Sequence, residues 1–436
     1  MCKVVAELEQ KHAEAWSEAK EAVDELLRRM DVQEARLDRL EEQTGALARC
    51  VDSLQGNRPP QRPLTHSLFD QTAWISRKAE GFVGRQWLLA RVGDMLTEAK
   101  PFVLIKGEPG AGKSALMAAL ALRQEGVSIP GCDRIGAYVF CRWDYEPTQQ
   151  PVHVVRHLAA MLAKTITEYG AMLRENPQLL EAHDAMGQPR SASTMLEEAV
   201  LNPLEERGRQ QLGPQPVTVI LVDSLDEASC HNNNVVQLLA QLGGSLSRVP
   251  WLRVLATTRP HAEVERRLGS KPVAVLDTSE LENQEDLRHF VAAKGRVLGI
   301  DTNALDRVVS MSRGNFLFAH SVLEALHDGT LTHEDVVLGR CPQNLEEFYL
   351  ARMEKDVTDL DHWRQTTAKV LAILVAAYEP LSVAELAEAS EMDCNLVSES
   401  LQTVRQYLQE FVPRDTQCRP RLHHKSFTDW LVRPAE

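Results

Sequence analysis

No lysine- or arginine-rich run stands out in this chain, and its 48 basic side chains are outnumbered by 62 acidic ones, for a net charge of −14. That balance argues against a general binder of nucleic acid or of anionic membranes, so no nucleic-acid partner is expected. The eight cysteines are scattered, with no C-x-x-C pair and no short repeated spacing. This speaks against a disulfide frame or a cysteine zinc site and fits free thiols in a reducing compartment. Met1–Glu7 lacks the apolar core of a signal peptide. The longest uncharged apolar run, Val370–Tyr378, is far too short to cross a membrane. No internal repeat of 20–50 residues is visible. The expectation is a soluble cytoplasmic protein with no membrane partner.

What is present suggests several domains. A chain of 436 residues with 44% hydrophobic side chains is too long for one compact core and apolar enough for well-packed ones. In residues 1–55, Trp16, Val23, Met30, Leu37, Thr44 and Val51 recur every seventh residue, and Ala19, Leu26, Gln33, Leu40, Leu47 and Leu54 follow each by three. Two mostly apolar series with charges between them predict a coiled coil, and through it a homo-oligomer, with Gln33 and Thr44 as polar seam positions. The alternatives are a helical hairpin within one chain and a helix packed on the body. Pro59, Pro60 and Pro63 then end the helix, and residues 56–79 read as a linker. Residues 80–280 alternate strand-like and helix-like segments, the pattern of a parallel sheet with crossover helices. Candidate strands are 102–105, 137–141, 217–222, 252–257 and 273–276, and residues 165–212 read as a polar helical excursion. Residues 281–360 read as short amphipathic helices. In 361–436, Ser382 and Glu385 have the spacing of a capping box.

The most informative stretch is Gly107-Glu108-Pro109-Gly110-Ala111-Gly112-Lys113-Ser114. It satisfies G-x-x-x-x-G-K-[ST], after a strand-like run and before a helix-like one. Glycines at those positions let the backbone curl until successive N–H groups face one phosphate, and the helix N-terminus adds its partial positive charge. Lys113 is expected to reach the β- and γ-phosphates, and Ser114 to ligate Mg²⁺. About 110 residues on, the apolar strand Val217–Val222 ends in Asp223, placed to meet the same Mg²⁺, usually through water. Asp226 and Glu227 follow, and either one is a candidate to orient or deprotonate the attacking water. Arg259, at the end of the run Leu252–Thr258, is a candidate reader of the γ-phosphate. His153 and His157 stand four apart on a helix-like segment, but without the glutamate of a metalloprotease, so metal binding there is not expected.

Together these motifs resemble the NACHT branch of the signal-transduction (STAND) P-loop NTPases, in the subgroup with nephrocystin-type N-terminal domains. Phe82-Val83-Gly84-Arg85 is similar to the family's entry motif, which implies that the backbone of Val83, Gly84 and Arg85 holds the adenine. Asp223–Glu227 resembles this group's Walker B segment. Ser312–Ala319 resembles the glycine motif of the small helical domain, with Phe316 where many members have proline. Leu422–Leu431 resembles the winged-helix His-x-Ser-Phe segment, which implies that His424 contacts the bound diphosphate. The resemblance implies an α/β P-loop NTPase domain at 80–280, a helical domain at 281–360 and a winged helix at 361–436. It also implies ATP and ADP with Mg²⁺ as cofactors, slow hydrolysis and use as a signalling switch with protein partners that the sequence does not identify. The would-be recognition segment Glu391–Glu410 carries four acidic residues and one arginine, which opposes DNA binding. Family members usually carry repeats after the winged helix, so a truncated or repeat-less member is one reading of this chain. A nucleotide-bound scaffold that never hydrolyses is the alternative function, and an AAA-type motor is disfavoured because no arginine finger is identifiable.

Overall fold

The computed structural model describes residues 69–432, except 98, 182, 184–188, 211–212, 229–233, 358, 378–379 and 423. The heptad segment 1–55 lies outside the described residues. The described chain falls into two compact units that divide between Leu345 and Glu346.

The first unit is built on a sheet of five parallel strands: β1 Phe102–Gly107, β2 Arg134–Phe140, β3 Thr218–Asp223, β4 Leu252–Thr258 and β5 Val273–Leu276, in the order β2-β3-β4-β1-β5. The central β3 and β4 are buried at every position, as expected for strands covered on both faces. Alternation along β1 separates two cores: Phe102 and Leu104 enter one apolar cluster, Val103 and Ile105 the other. These strands agree with the sequence reading to within a few residues. Strand order, which no local pattern encodes, puts β4 between β1 and β3. The loop after β1, the tip of β4 and the acids after β3 therefore lie at one end of the sheet, where parallel α/β sheets bind ligands.

Two parts of the sequence reading need correction. Helix α1, Thr72–Ala79, lies within the stretch read as a linker. Its Ile75 and Ala79 are buried, one helical turn apart, in the cluster that holds Leu116 and Val103. The excursion 165–212 is helical but not simply polar. Tyr169, Leu173, Leu196, Val200, Leu201 and Leu204 are buried in the main core, so its charges cover the solvent face of an amphipathic segment. Around the sheet lie α2 Gln86–Met95, α3 Lys113–Ala121, α4 Pro151–Thr165, α5 Val235–Ser245 and α6 Ala262–Leu268. Helices α7 Leu281–Leu298, α8 Thr302–Ser312 and α9 Phe316–His327 follow β5 and belong to the same unit.

The division at 345/346, instead of 360/361, assigns α10 Leu345–Asp356 to the C-terminal unit. There, α11 Thr367–Ala376, α12 Val383–Ser390 and α13 Cys394–Thr403 enclose a small core containing Val370, Leu386, Val397 and Leu401. Both hydrogen bonds of the Ser382–Glu385 capping box form. Two short antiparallel strands, β6 Leu408–Gln409 and β7 Arg421–Leu422, precede α14 Lys425–Val432. Among the described residues no helix is long and apolar enough to cross a membrane.

Candidate functional site

The loop between β1 and α3 has the backbone its glycines were expected to permit. Gly110 and Gly112 stand at φ +80° and +87°, in the left-handed region where a Cβ is costly. Gly112 caps α3, whose first N–H groups have no acceptor within the helix. Lys113 is buried, and its ammonium donates to the carbonyls of Gly107 (2.6 Å) and Glu108 (2.9 Å). Burial, followed by the nearby Arg259 charge, pushes its pKa down to about 8, against the pull of Asp226, Asp223 and Glu108. The arrangement is a curled chain of amides with one buried cation at its mouth, and it fits a polyphosphate.

Asp223 ends β3 fully buried. Thr257 donates its hydroxyl to Oδ1 at 2.5 Å, Ser224 donates to Oδ2 at 3.1 Å, and the Ser114 hydroxyl stands 3.4 Å from that of Ser224. Burial raises the Asp223 pKa, and its hydroxyl partners hold it back. Ser114 and Asp223 are thus brought together as a hydroxyl and a carboxylate, a donor set that suits Mg²⁺ with water completing its shell. Among the described residues no His/Cys/Asp/Glu cluster offers an alternative metal site. His157 stacks on Phe69 (centroids 4.0 Å apart) with Nε2 at 3.1 Å from the carbonyl of Tyr138, a packing role.

Asp226, Glu227 and Arg259 form one ion-paired group. The Arg259 backbone N–H donates to Asp226 Oδ1 at 3.0 Å, Nε stands 3.4 Å from Oδ2, and Nη2 stands 3.7 Å from Glu227 Oε1. Glu227 Oε2 also accepts the N–H of Trp143 at 3.3 Å. The candidate base and the candidate γ-phosphate reader are therefore each other's counter-ions, a coupling that the sequence did not reveal.

The back of the P-loop is tied to the helices that follow the sheet. Arg85, held at φ +67°, is fully buried. It donates to Asn283 Oδ1 and to the carbonyl of Ala111, both at 2.6 Å, and its guanidinium lies 4.6 Å from the centre of the Phe316 ring. Its backbone N–H and Trp87 Nε1 both donate to Asp286 Oδ2, at 2.9 and 2.8 Å. Gly84 has to be glycine, since a Cβ there would stand 2.1 Å from Asp286 Oδ1. From the other side, Asn315 donates to the carbonyl of Pro109 at 3.0 Å, and the N–H groups of Phe316 and Leu317 donate to the carbonyl of Gly110 at 3.0 and 3.3 Å. Gly84 and Arg85 thus stand against Asp286, and Val83 just before them is half-buried. Of the residues in these contacts, Trp87, Asn283 and Asp286 were missed by the sequence reading; a motif some 200 residues away carries no local mark of the last two.

His424 lies in the C-terminal unit. There the Ser426 N–H donates to its Nδ1 at 3.1 Å, with the Ser426 hydroxyl at 2.7 Å, so the neutral ring carries its proton on Nε2. Ser426 also meets the Tyr349 hydroxyl at 2.9 Å, and Phe427 stacks on Tyr407 with ring centroids 4.1 Å apart. The His-x-Ser-Phe segment thereby anchors α14 to α10 and to Tyr407 in the turn before β6.

A family profile described as nephrocystin 3, N-terminal, matches residues 85–259. Those residues form a nephrocystin-like P-loop NTPase domain. The match runs from the Arg85 clamp to Arg259 and encloses the whole Lys113–Asp223–Glu227 constellation. Solved structures that overlap with the chain include a Walker-type ATPase of Pyrococcus abyssi (14% identity, 86% of this chain and 98% of that one, TM-score 0.38). Others are the Drosophila origin recognition complex bound to DNA (13%, 87% and 95%, 0.35) and Cdc6p of Pyrobaculum aerophilum (10%, 84% and 97%, 0.37). Overlaps this loose transfer no function to the nephrocystin-like domain.

Proposed function

We propose that the nephrocystin-like domain binds ATP and ADP with Mg²⁺ and acts as a switch whose slow hydrolysis resets it. The observation that carries this reading is the double tie behind the P-loop: Arg85, itself held by Asn283 and Asp286 of α7, bonds Ala111, and Asn315–Leu317 at the start of α9 bond Pro109 and Gly110. A phosphate entering the loop acts on a backbone whose other side is already bonded to the helices 281–327. Lys113, the loop amides and the Ser114 hydroxyl would hold the phosphates, with Ser114 and Asp223 beside the metal. Bound Mg²⁺ withdraws charge from the phosphate oxygens. For Arg259 to meet a third phosphate it must loosen from Asp226 and Glu227, and that same exchange frees Glu227 to orient water. Swinging a switch from 1:99 to 99:1 takes about 5.5 kcal/mol of differential affinity. A single charge-assisted hydrogen bond contributes about 1.5–3 kcal/mol, so several of these contacts have to change together. Self-association through residues 1–55 and the diphosphate role that the resemblance gives His424 are parts of the same proposal.

The deciding experiment identifies the nucleotide released on denaturing the purified protein, beside Lys113→Ala. Stoichiometric ADP from the wild type and none from the variant is the expected result; a wild type that binds no nucleotide would overturn the proposal. Glu227→Gln then separates the switch from a non-hydrolysing scaffold: turnover present in the wild type and lost in the variant, with binding kept, supports the switch. His424→Ala is expected to speed ADP release, and an unchanged rate removes the latch.

A further inference from the structure

Helix α1 brings a cation to the phosphate site that none of the motifs contains. Gln71, just before α1, is buried and bonds both backbone groups of Phe140: Nε2 donates to the carbonyl at 2.7 Å, and Oε1 accepts the N–H at 3.1 Å. Phe140 is the register partner of Asp223, and the N–H of Cys141 donates to the Asp223 carbonyl at 3.0 Å. The helix is therefore pinned to the end of β2, directly beside the strand that ends in Asp223. Two turns along, the Lys78 ammonium lies over the Trp74 ring, 5.4 Å from its centre, and the Arg142 guanidinium lies over the same ring at 5.6 Å.

The two cations differ in what matches them. Arg142 forks onto Asp144 at 2.6 and 3.0 Å. Lys78 has neither a hydrogen bond nor an ion pair to any described residue. Burial pushes its pKa down, while Glu227 and then Asp223, the acids that act most strongly on it, pull it back up. Its charge is also felt by His320 on α9, the helix that begins at the P-loop. A half-buried ammonium whose one contact is a ring face is held more favourably once an anion arrives beside it.

We propose that Lys78 is a third cation of the phosphate site, beside Lys113 and Arg259, and that it recognises the terminal phosphate of a bound nucleoside triphosphate. This rests on the nucleotide-binding reading above. The two lysines face different parts of the acidic group. Lys113 is influenced by Asp226, Asp223 and Glu108 and is bonded to the loop itself; Lys78 is influenced chiefly by Glu227 and Asp223. The contacts agree: Lys78 and Arg142 share the Trp74 ring, and the next residue, Trp143, donates its N–H to Glu227 Oε2 at 3.3 Å, so Lys78 belongs to the Glu227 side of the group, where the phosphate farthest from the loop would end. A diphosphate held by the loop would fall short of it, so Lys78 would help distinguish ATP from ADP.

The test is an equilibrium titration of the full chain with ADP and with a non-hydrolysable ATP analogue, both with Mg²⁺. Wild type, Lys78→Met, Lys78→Arg and Lys113→Ala are compared, with melting curves as a check on folding. Lys78→Met keeps an apolar stem on Trp74 and removes the charge. It is expected to weaken the triphosphate about tenfold or more and ADP less than about twofold, a difference of about 1.4 kcal/mol, and Lys78→Arg restores most of the loss. Equal weakening of both nucleotides, or none, overturns the proposal while wild type and Lys113→Ala still report on the loop. A wild type that binds neither nucleotide overturns the parent reading and this one with it. Should Lys78→Met melt early, Lys78→Gln carries the same comparison.

Discussion

Replacing Arg85 with methionine should destabilise the first unit even when no nucleotide is added. The side chain is 2% exposed and that of Asp286 11% exposed, so solvent offers little compensation. Its loss strands Asn283 Oδ1 and the Ala111 carbonyl, each a buried acceptor that costs about 1–3 kcal/mol unpaired. It also removes a cation 3.9 Å from Asp286, and breaking a buried pair from one side typically costs about 3–5 kcal/mol. Methionine packing against Phe316 and Trp87 offsets part of this. The Asp286 carboxylate keeps the N–H of residue 85 and the Trp87 indole as donors. A net loss of roughly 3–5 kcal/mol follows, which in a unit this large lowers Tm by roughly 6–15 °C. Lysine should not rescue it, because one ammonium cannot replace a fork that bonds two acceptors in different directions. The assay is thermal unfolding of the full chain without nucleotide, for wild type, Arg85→Met, Arg85→Lys and Asp286→Asn. An Arg85→Met protein that melts within about 2 °C of wild type yet fails to bind ADP would refute the reasoning and return the side chain to the ligand.

Three further outcomes are expected. Gly314→Ala should cost roughly 2–4 kcal/mol, since φ is +84° and the new Cβ would stand 2.0 Å from the Thr278 carbonyl; Gly299→Ala, at φ +71° with nothing within 4 Å, should cost only about 1–2 kcal/mol in the same denaturant titration. His157, whose pKa burial lowers to about 4 from 6.5, is neutral in the fold and takes a proton on unfolding. Stability is therefore full above pH 6.5 and falls as pH drops towards 4, by about 2 kcal/mol at pH 5, and His157→Gln should flatten that slope in urea midpoints. Lys113, at about 8 before ligand arrives, has to be charged to hold phosphate. ADP affinity should be flat below pH 8 and about tenfold weaker at pH 9, and equal Kd values at pH 7 and pH 9 would count against it.

The P-loop was legible because its requirement is local. Gly110 and Gly112 take left-handed backbone that other residues resist, and Lys113-Ser114 must follow directly for the helix to begin at the phosphate. The strands were legible for a similar reason: positions buried on both faces demand apolar runs, which Val219–Val222 and Val254–Ala256 supply within β3 and β4. Helix α1 was missed because a short helix after a proline cluster buries only Ile75 and Ala79, too little to mark a period. The ion pairing of Arg259 with Asp226 and Glu227 needed the strand order, since β4 and β3 are neighbours only in the folded sheet. The Arg85–Asn283–Asp286 clamp and the Asn315 bonds to the loop likewise join residues about 200 positions apart. The amino-acid sequence by itself determined which backbone shapes and which buried faces this protein has, because glycine tolerance and apolar periodicity act over a few residues. Only the tertiary structure decided which charges meet, because a buried charge is satisfied by whatever the packing brings within a few ångströms.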